Sequence, residues 1–87
     1  MYYVYVLKSL KDGNLYTGVT TDLSRRLREH NAGKTKSLRA RRPLRLVFSE
    51  AYPTKRDALA RERFLKTPAG GVLKQRLVAK ALSGERT

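Results

Sequence analysis

The sequence lacks several residue types, and each absence removes a class of protein. It has no cysteine and no tryptophan, a single histidine and 3 prolines. Without cysteine, disulfides and thiolate metal sites are excluded, so any bound metal should be a hard cation such as Mg²⁺ or Mn²⁺. No apolar run approaches the ~18 residues of a membrane span, and no signal peptide is recognisable. We therefore expect a cytoplasmic protein.

Acidic residues are also scarce. The chain has 20 Lys and Arg against 7 Asp and Glu, a formal charge of +13. Self-repulsion of this size opposes folding, so we expect an acidic partner to neutralise it. Nucleic acid is the commonest such partner, because each Lys or Arg that replaces a condensed counterion adds salt-dependent affinity. An anionic membrane surface and plain solubility are the alternatives.

The length of 87 residues leaves room for one small hydrophobic core, so we expect a single domain over residues 1–87. β-branched and aromatic residues predict strands at 2–8, 15–19 and 44–49. Asp12 and Gly13 predict a tight turn between the first two strands, which should pair antiparallel.

Capping residues and apolar spacing predict three helices. The first follows cap residues 20–22 and ends at Asn31 and Gly33. The second starts after Thr54 and extends through Lys66, and the third spans residues 72–82 after a break at 67–68. The order β-β-α-β-α-α predicts an α+β fold, a small three-stranded antiparallel sheet flanked by helices.

A basic segment joins the first helix to the third strand. Residues 34–45 contain no acid, and Pro43 argues against a helix, so a loop is predicted. The segment is either a solvated charged loop or a cradle for phosphate. Its candidate nucleic-acid-binding residues are Lys34, Lys36, Arg39, Arg41 and Arg42.

Two tyrosines on the paired strands are candidates for chemistry. The hydroxyls of Tyr5 and Tyr16 could converge at one edge of the sheet, although both side chains could equally fill the core. Gly18 marks either the close approach of a ligand or backbone, or a bulge.

Charged residues also fall on apolar helix faces. Arg26 and His30 follow the spacing of the leucines on the first helix, so Arg26 must either extend out to solvent or meet an anion. Glu62 lies among apolar residues of the second helix and needs a partner. That partner is either an arginine or a divalent metal.

Together these residues resemble the signature of the GIY-YIG family of metal-dependent nucleases. Residues 3–5 are similar to the first half of the signature and residues 16–18 to the second. Arg26, His30 and Glu62 then follow in the family's order. The resemblance covers nearly the whole chain and is closest to the small, stand-alone, bacterial-type branch.

The resemblance implies hydrolysis of phosphodiester bonds in structured or single-stranded DNA, including a DNA-repair setting, with one Mg²⁺ or Mn²⁺ held by Glu62. It implies that Tyr5 or Tyr16 helps to deprotonate the attacking water. It further implies that Arg26 binds the scissile phosphate and that His30 supports the tyrosine or the phosphate. A protein partner that supplies substrate choice is compatible with so short a chain.

Two departures from the family pattern bear on activity. Tyr3 replaces the leading glycine, and no asparagine follows Asn31, although many active members have one after the glutamate. Three hypotheses therefore stay open: a nuclease, a catalytically silent nucleic-acid-binding module on the same fold, and a basic protein-interaction domain.

Overall fold

The computed structural model of the protein describes residues 1–84. Its elements, in chain order, are β1 (Tyr2–Ser9), β2 (Leu15–Thr20), α1 (Leu23–Asn31), β3 (Leu44–Tyr52), α2 (Lys55–Leu65) and α3 (Pro68–Gly84). The predicted α+β fold and its β-β-α-β-α-α order are confirmed. None of the helices in residues 1–84 combines the length and apolarity that crossing a membrane requires.

The sheet has β1 at its centre, in the order β2-β1-β3, and both neighbours pair with it antiparallel. The turn after β1 is stabilised by Asp12, whose Oδ1 accepts a hydrogen bond from the backbone N–H of Asn14 at 2.9 Å. Gly13 has φ 76°, a left-handed conformation that glycine adopts without steric cost. The hairpin leaves β2 as an edge strand.

Both faces of β1 are buried, because successive side chains of a strand point to opposite sides. Val4 and Val6 pack on one face against apolar residues of α2 and α3. Tyr5 and Leu7 pack on the other face, where α1 contributes partly buried leucines. The sheet therefore lies between α1 on one side and α2 with α3 on the other.

The helix starts follow the predicted caps. Asp22 Oδ1 accepts the N–H of Arg25 at 3.0 Å before α1, and Thr54 Oγ1 accepts the N–H of Asp57 at 3.2 Å before α2. Side chains at these positions satisfy backbone donors that have no partner inside the helix.

Three predictions about the elements were wrong. β3 extends to Tyr52 instead of ending at residue 49. The predicted basic loop contains a 3₁₀ helix, Lys36–Arg41. Leu38 is buried against the core, and its N–H donates to the Thr35 carbonyl at 3.1 Å, so apolar burial shapes the segment despite its charge. α3 begins at Pro68 rather than at residue 72, because proline suits the first helical turn, where no N–H is needed.

Candidate active site

A cleft of about 450 Å³ lies along β2. All five residues predicted to carry chemistry line it, together with residues of the segment after α1 and of both C-terminal helices. The lining residues are Tyr5, Leu7, Leu15, Tyr16, Thr17, Gly18, Val19, Arg26, His30, Thr35, Ser37, Leu38, Glu62, Lys66 and Lys74. We call this space the cleft.

The edge position of β2 explains how distant elements meet there. Side chains alternate along the strand, so Tyr16 and Gly18 lie on the sheet face that α1 covers, whereas Thr17 lies on the face that α2 and α3 cover. The register pairs Tyr5 with Gly18 and Leu7 with Tyr16. The cleft can therefore receive groups from both sides of the sheet.

Gly18 makes room for the Tyr5 side chain. A Cβ atom on Gly18 would lie 2.5 Å from the Tyr5 hydroxyl oxygen, closer than atoms can approach. The bulge considered for this position is wrong, because the β1–β2 pairing continues without a shift from Tyr3 and Thr20 to Lys8 and Leu15. The glycine permits a close approach, and the approaching group is Tyr5.

Tyr5 and His30 belong to a buried chain of hydrogen bonds. Tyr5 Oη lies 3.0 Å from His30 Nε2, and Thr35 Oγ1 lies 2.8 Å from His30 Nδ1. Burial lowers the pKa of His30 below its ordinary value of 6.5, and the positive charge of Arg26 lowers it further, against an opposing effect of Glu29. A neutral imidazole, donating at one nitrogen and accepting at the other, bridges the two hydroxyls.

Arg26 lies at the edge of the core. Its Nη1 donates to Glu29 Oε1 at 3.2 Å, and 40% of its side chain stays exposed. Interaction with the Tyr5 hydroxyl is the largest cause raising the pKa of Arg26, and the bond to Glu29 raises it further. Both outcomes considered from the sequence are realised, because the guanidinium reaches solvent and also meets an anion.

Glu62 reaches the cleft from α2, with 19% of its side chain exposed. Its Oε2 accepts a hydrogen bond from Lys66 Nζ at 3.3 Å, four residues along the chain. The prediction of an arginine partner for Glu62 was wrong, because Glu62 pairs with Lys66. Arg61 of the same helix instead binds both oxygens of Glu50, at 2.9 and 3.2 Å. The carboxylate that lines the cleft is paired with a lysine.

A divalent ion fits this donor set in a restricted way. Within residues 1–84, Glu62 is the one carboxylate that lines the cleft, and there is no cluster of three or more acidic or histidine side chains suited to a metal. Mg²⁺ often takes one or two protein carboxylates and completes its shell with water and phosphate oxygens. Glu62 suits that mode, in which substrate supplies further ligands, and Lys66 is the cation that an ion would displace from it.

The predicted nucleic-acid-binding residues of the basic segment do not line the cleft. Arg39 Nε donates to the Gly33 carbonyl and Arg42 Nε to the Arg39 carbonyl, both at 2.8 Å, so these arginines hold the segment in shape. Arg41 pairs with Asp12 of the first turn. The side chains of the two remaining residues of this set, Lys34 and Lys36, are exposed.

Lys66, Thr35 and Lys74 are among the polar cleft residues that were not identified from the sequence. Lys66 could have been found, because it lies four residues after Glu62 on one helix face. Thr35 and Lys74 carry no comparable local signal. Lys74 Nζ lies 3.3 Å from Thr17 Oγ1, a contact between residues 57 positions apart in the chain.

Comparison with known proteins places this geometry in a family. Residues 1–70 match the model described as the GIY-YIG catalytic domain. A UPF0213 protein of Streptococcus agalactiae is 51% identical over 65 residues, which cover 74% of this chain and 73% of that protein. One of Haloquadratum walsbyi is 48% identical over 67 residues, covering 76% and 74%. The solution NMR structure of a Bacillus halodurans UPF0213 protein aligns with TM-score 0.52 and 42% identity over 91% of this chain and 84% of that one. The chain belongs to the GIY-YIG family.

Proposed function

We propose that the protein is a metal-dependent endonuclease that hydrolyses phosphodiester bonds, with single-stranded or structured DNA as its substrate. The proposal rests on one observation. Tyr5, hydrogen-bonded to His30, lines the same cleft as Arg26 and Glu62. A group that can accept a proton, a cation that can bind phosphate and a carboxylate that can hold a metal are the parts that this hydrolysis needs. Membership of a nuclease family supports the same reaction.

The proton acceptor is assigned to Tyr5. A phenol ordinarily ionises near pH ~10, so it acts as a base at neutral pH only beside positive charge or a group that takes up its proton. The hydroxyl of Tyr5 interacts with Arg26 and is bonded to His30 Nε2. Tyr16 also lines the cleft, without a comparable hydrogen bond among residues 1–82. In this scheme His30 Nε2 holds the Tyr5 hydroxyl in place and accepts its proton, so that the Tyr5 oxygen can take a proton from the attacking water.

Arg26 is assigned to the scissile phosphate. Its planar guanidinium can donate two parallel hydrogen bonds to phosphate oxygens, and the bond to Glu29 uses only one of its five N–H groups. Its exposed fraction faces solvent rather than the closed core. Negative charge that develops on the phosphate is thereby met by a fixed positive group.

Glu62 is assigned to the metal. When bound, Mg²⁺ or Mn²⁺ supplies positive charge that stabilises the negative charge on the phosphate oxygens. Glu62 offers hard oxygen atoms for such an ion, and Lys66 neutralises the carboxylate in its absence. The ion pair with Lys66 thus lowers the energetic cost of placing the Glu62 carboxylate in the cleft.

A second candidate function is a catalytically silent nucleic-acid-binding module. The ion pair between Glu62 and Lys66 favours it, because a carboxylate already neutralised by a lysine is a weaker metal ligand. The absence of an asparagine after Asn31 favours it as well. This module would bind DNA through its positive charge and leave it intact.

The experiment that separates these functions is cleavage of labelled single-stranded, duplex, flapped and branched DNAs, in Mg²⁺ or Mn²⁺ and in a chelator. We compare the wild type with Arg26→Ala and with Arg28→Ala, the same change at an exposed position of α1. The nuclease cuts at least one substrate only with metal, loses this activity in Arg26→Ala and keeps it in Arg28→Ala. Binding of every substrate without cleavage would support the silent module.

A further inference from the structure

We infer that Lys74 binds a phosphate group of the nucleic acid in the cleft, from the side of β2 opposite to Arg26. This inference rests on the proposed function only in taking nucleic acid as the ligand. It adds a second phosphate contact, supplied by α3, to a site whose other assigned groups come from β1, α1 and α2.

The Lys74 ammonium group lies beside β2. Lys74 is half-buried, lines the cleft, and donates to Thr17 Oγ1 at 3.3 Å. Thr17 lies in β2 between Tyr16 and Gly18, so the charge is held beside the strand that carries a candidate catalytic tyrosine. Because Arg26 approaches the cleft from α1, the two cations reach it from opposite faces of the sheet.

The charge of Lys74 has no opposite charge to balance it within residues 1–82. The only hydrogen-bond partner found there is the neutral hydroxyl of Thr17, and no carboxylate of this part of the chain forms an ion pair with it. Burial, and then the charge of Lys66, lower the pKa of Lys74 below its ordinary value of 10.5. An ammonium group in this state gains from any anion that enters the cleft.

Lys66 provides an informative contrast. It lines the same cleft, but Glu62 neutralises it in an i,i+4 pair. Lys74 instead has no carboxylate partner within residues 1–82, and it lies in a space large enough for a phosphate group. A charge-assisted hydrogen bond from an ammonium to a phosphate oxygen is stronger than its bond to a neutral hydroxyl, so phosphate entry would replace the Thr17 contact or add to it.

Binding of a short fluorescently labelled single-stranded DNA, measured in a chelator so that no cleavage occurs, tests the inference. We compare the wild type with Lys74→Gln and with Lys80→Gln, the same change at an exposed position of α3. Lys74→Gln should weaken binding about tenfold, as expected for removal of a charge-assisted hydrogen bond, and Lys80→Gln much less. The slope of log Kd against log salt concentration should fall by about one in Lys74→Gln. Equal effects of the two variants would overturn the inference.

A second measurement guards against misfolding of the variant. In the wild-type protein, the side-chain NMR signals of Lys74 are followed as a function of pH with and without the DNA. Bound phosphate should raise the pH at which Lys74 titrates, and an unchanged titration would overturn the inference.

The inference and the proposed function fail separately. If the protein cuts no DNA but Lys74→Gln weakens binding as expected, the phosphate contact stands and the nuclease assignment falls. If the protein cuts DNA and Lys74→Gln binds like the wild type, the nuclease assignment stands and the phosphate contact falls.

Discussion

Tyr5 serves the core and the cleft with different parts of one side chain. Its ring packs with Leu7, Leu38 and Leu44, and only 5% of the residue is exposed. Its hydroxyl is nevertheless bonded to His30 and lines the cleft. The core and site interpretations of this tyrosine, which the sequence left open, are therefore compatible with each other.

The assignment of the base predicts different results for the two tyrosines. Tyr5→Phe should lower the rate of DNA cleavage by about 100-fold or more, the contribution typical of a general base. Tyr16→Phe should lower it much less, because the Tyr5–His30 hydrogen bond remains. Single-turnover cleavage rates on one substrate provide the measurement. The opposite ranking would move the base to Tyr16.

His30 predicts a pH dependence of stability. Its folded-state pKa is lowered, first by burial and then by Arg26, with Glu29 opposing, so the folded protein binds the proton less tightly than the unfolded chain does. Stability is complete above the unfolded pKa of about 6.5 and decreases as the pH falls below it. Urea unfolding at pH 7.5 and 5.5 should show a lower free energy of unfolding at the acidic pH.

His30→Gln is the control for this prediction, because His30 is the only histidine in the chain. The difference in stability between pH 7.5 and 5.5 should largely disappear in this variant. A difference of the same size in the variant would mean that carboxylates, not His30, cause it.

Among the secondary-structure elements, those with local causes were predicted and those with distant causes were not. Asp22, Thr54 and Gly13 act on neighbouring backbone, so two helix starts and the hairpin could be predicted. The 3₁₀ helix forms because Leu38 packs against residues of β1 and β3, which no local pattern shows. The start of α3 is an exception, because Pro68 is a local signal for a first helical turn that was interpreted as a break.

The junction of α2 and α3 yields a prediction from two adjacent glycines. A Cβ atom on Gly70 would lie 1.7 Å from the Phe64 carbonyl oxygen, whereas one on Gly71 would meet no atom within 4 Å. Gly70→Ala should lower the free energy of unfolding by about 1–3 kcal/mol, the usual range for overpacking. Gly71→Ala should raise the free energy of unfolding by about 0.5–1 kcal/mol, because alanine favours the helix. Urea unfolding checks both, and equal effects would contradict the close packing of α2 and α3.

Across the protein, the basic residues fall into groups with different structural roles. The family resemblance placed Tyr5, Tyr16, Arg26, His30 and Glu62 at one site, and all five line the cleft because strand pairing and helix order bring them together. The sequence could not show which of the 20 basic residues line the cleft and which bind backbone carbonyls, since charges of one sign look alike in a sequence. Arg39 and Arg42 bind backbone carbonyls, whereas Lys66 and Lys74 line the cleft.

The exposed lysines of the basic segment predict the salt dependence of DNA binding. Replacing Lys34 and Lys36 together by glutamine should weaken binding to all DNA sequences and reduce the salt slope by about two, one for each phosphate that a lysine no longer neutralises. The control is a double glutamine variant at Lys55 and Lys80, which are equally exposed. Fluorescence anisotropy over a range of salt concentrations provides the measurement. An unchanged slope would exclude Lys34 and Lys36 from the DNA-binding surface, and a lack of DNA binding at physiological salt would favour the protein-interaction hypothesis.

The nuclease assignment depends most directly on Glu62, the single carboxylate among the described residues that line the cleft. The measurement is metal-dependent cleavage and, in parallel, DNA binding by the wild type and Glu62→Gln, which keeps the shape of the side chain and removes its charge. Cleavage should fall by at least about 100-fold, because several kcal/mol of charge stabilisation depend on the metal, while DNA binding should stay at or above the wild-type level. Cleavage by Glu62→Gln at the wild-type rate would contradict the proposed role of Glu62 and of the metal.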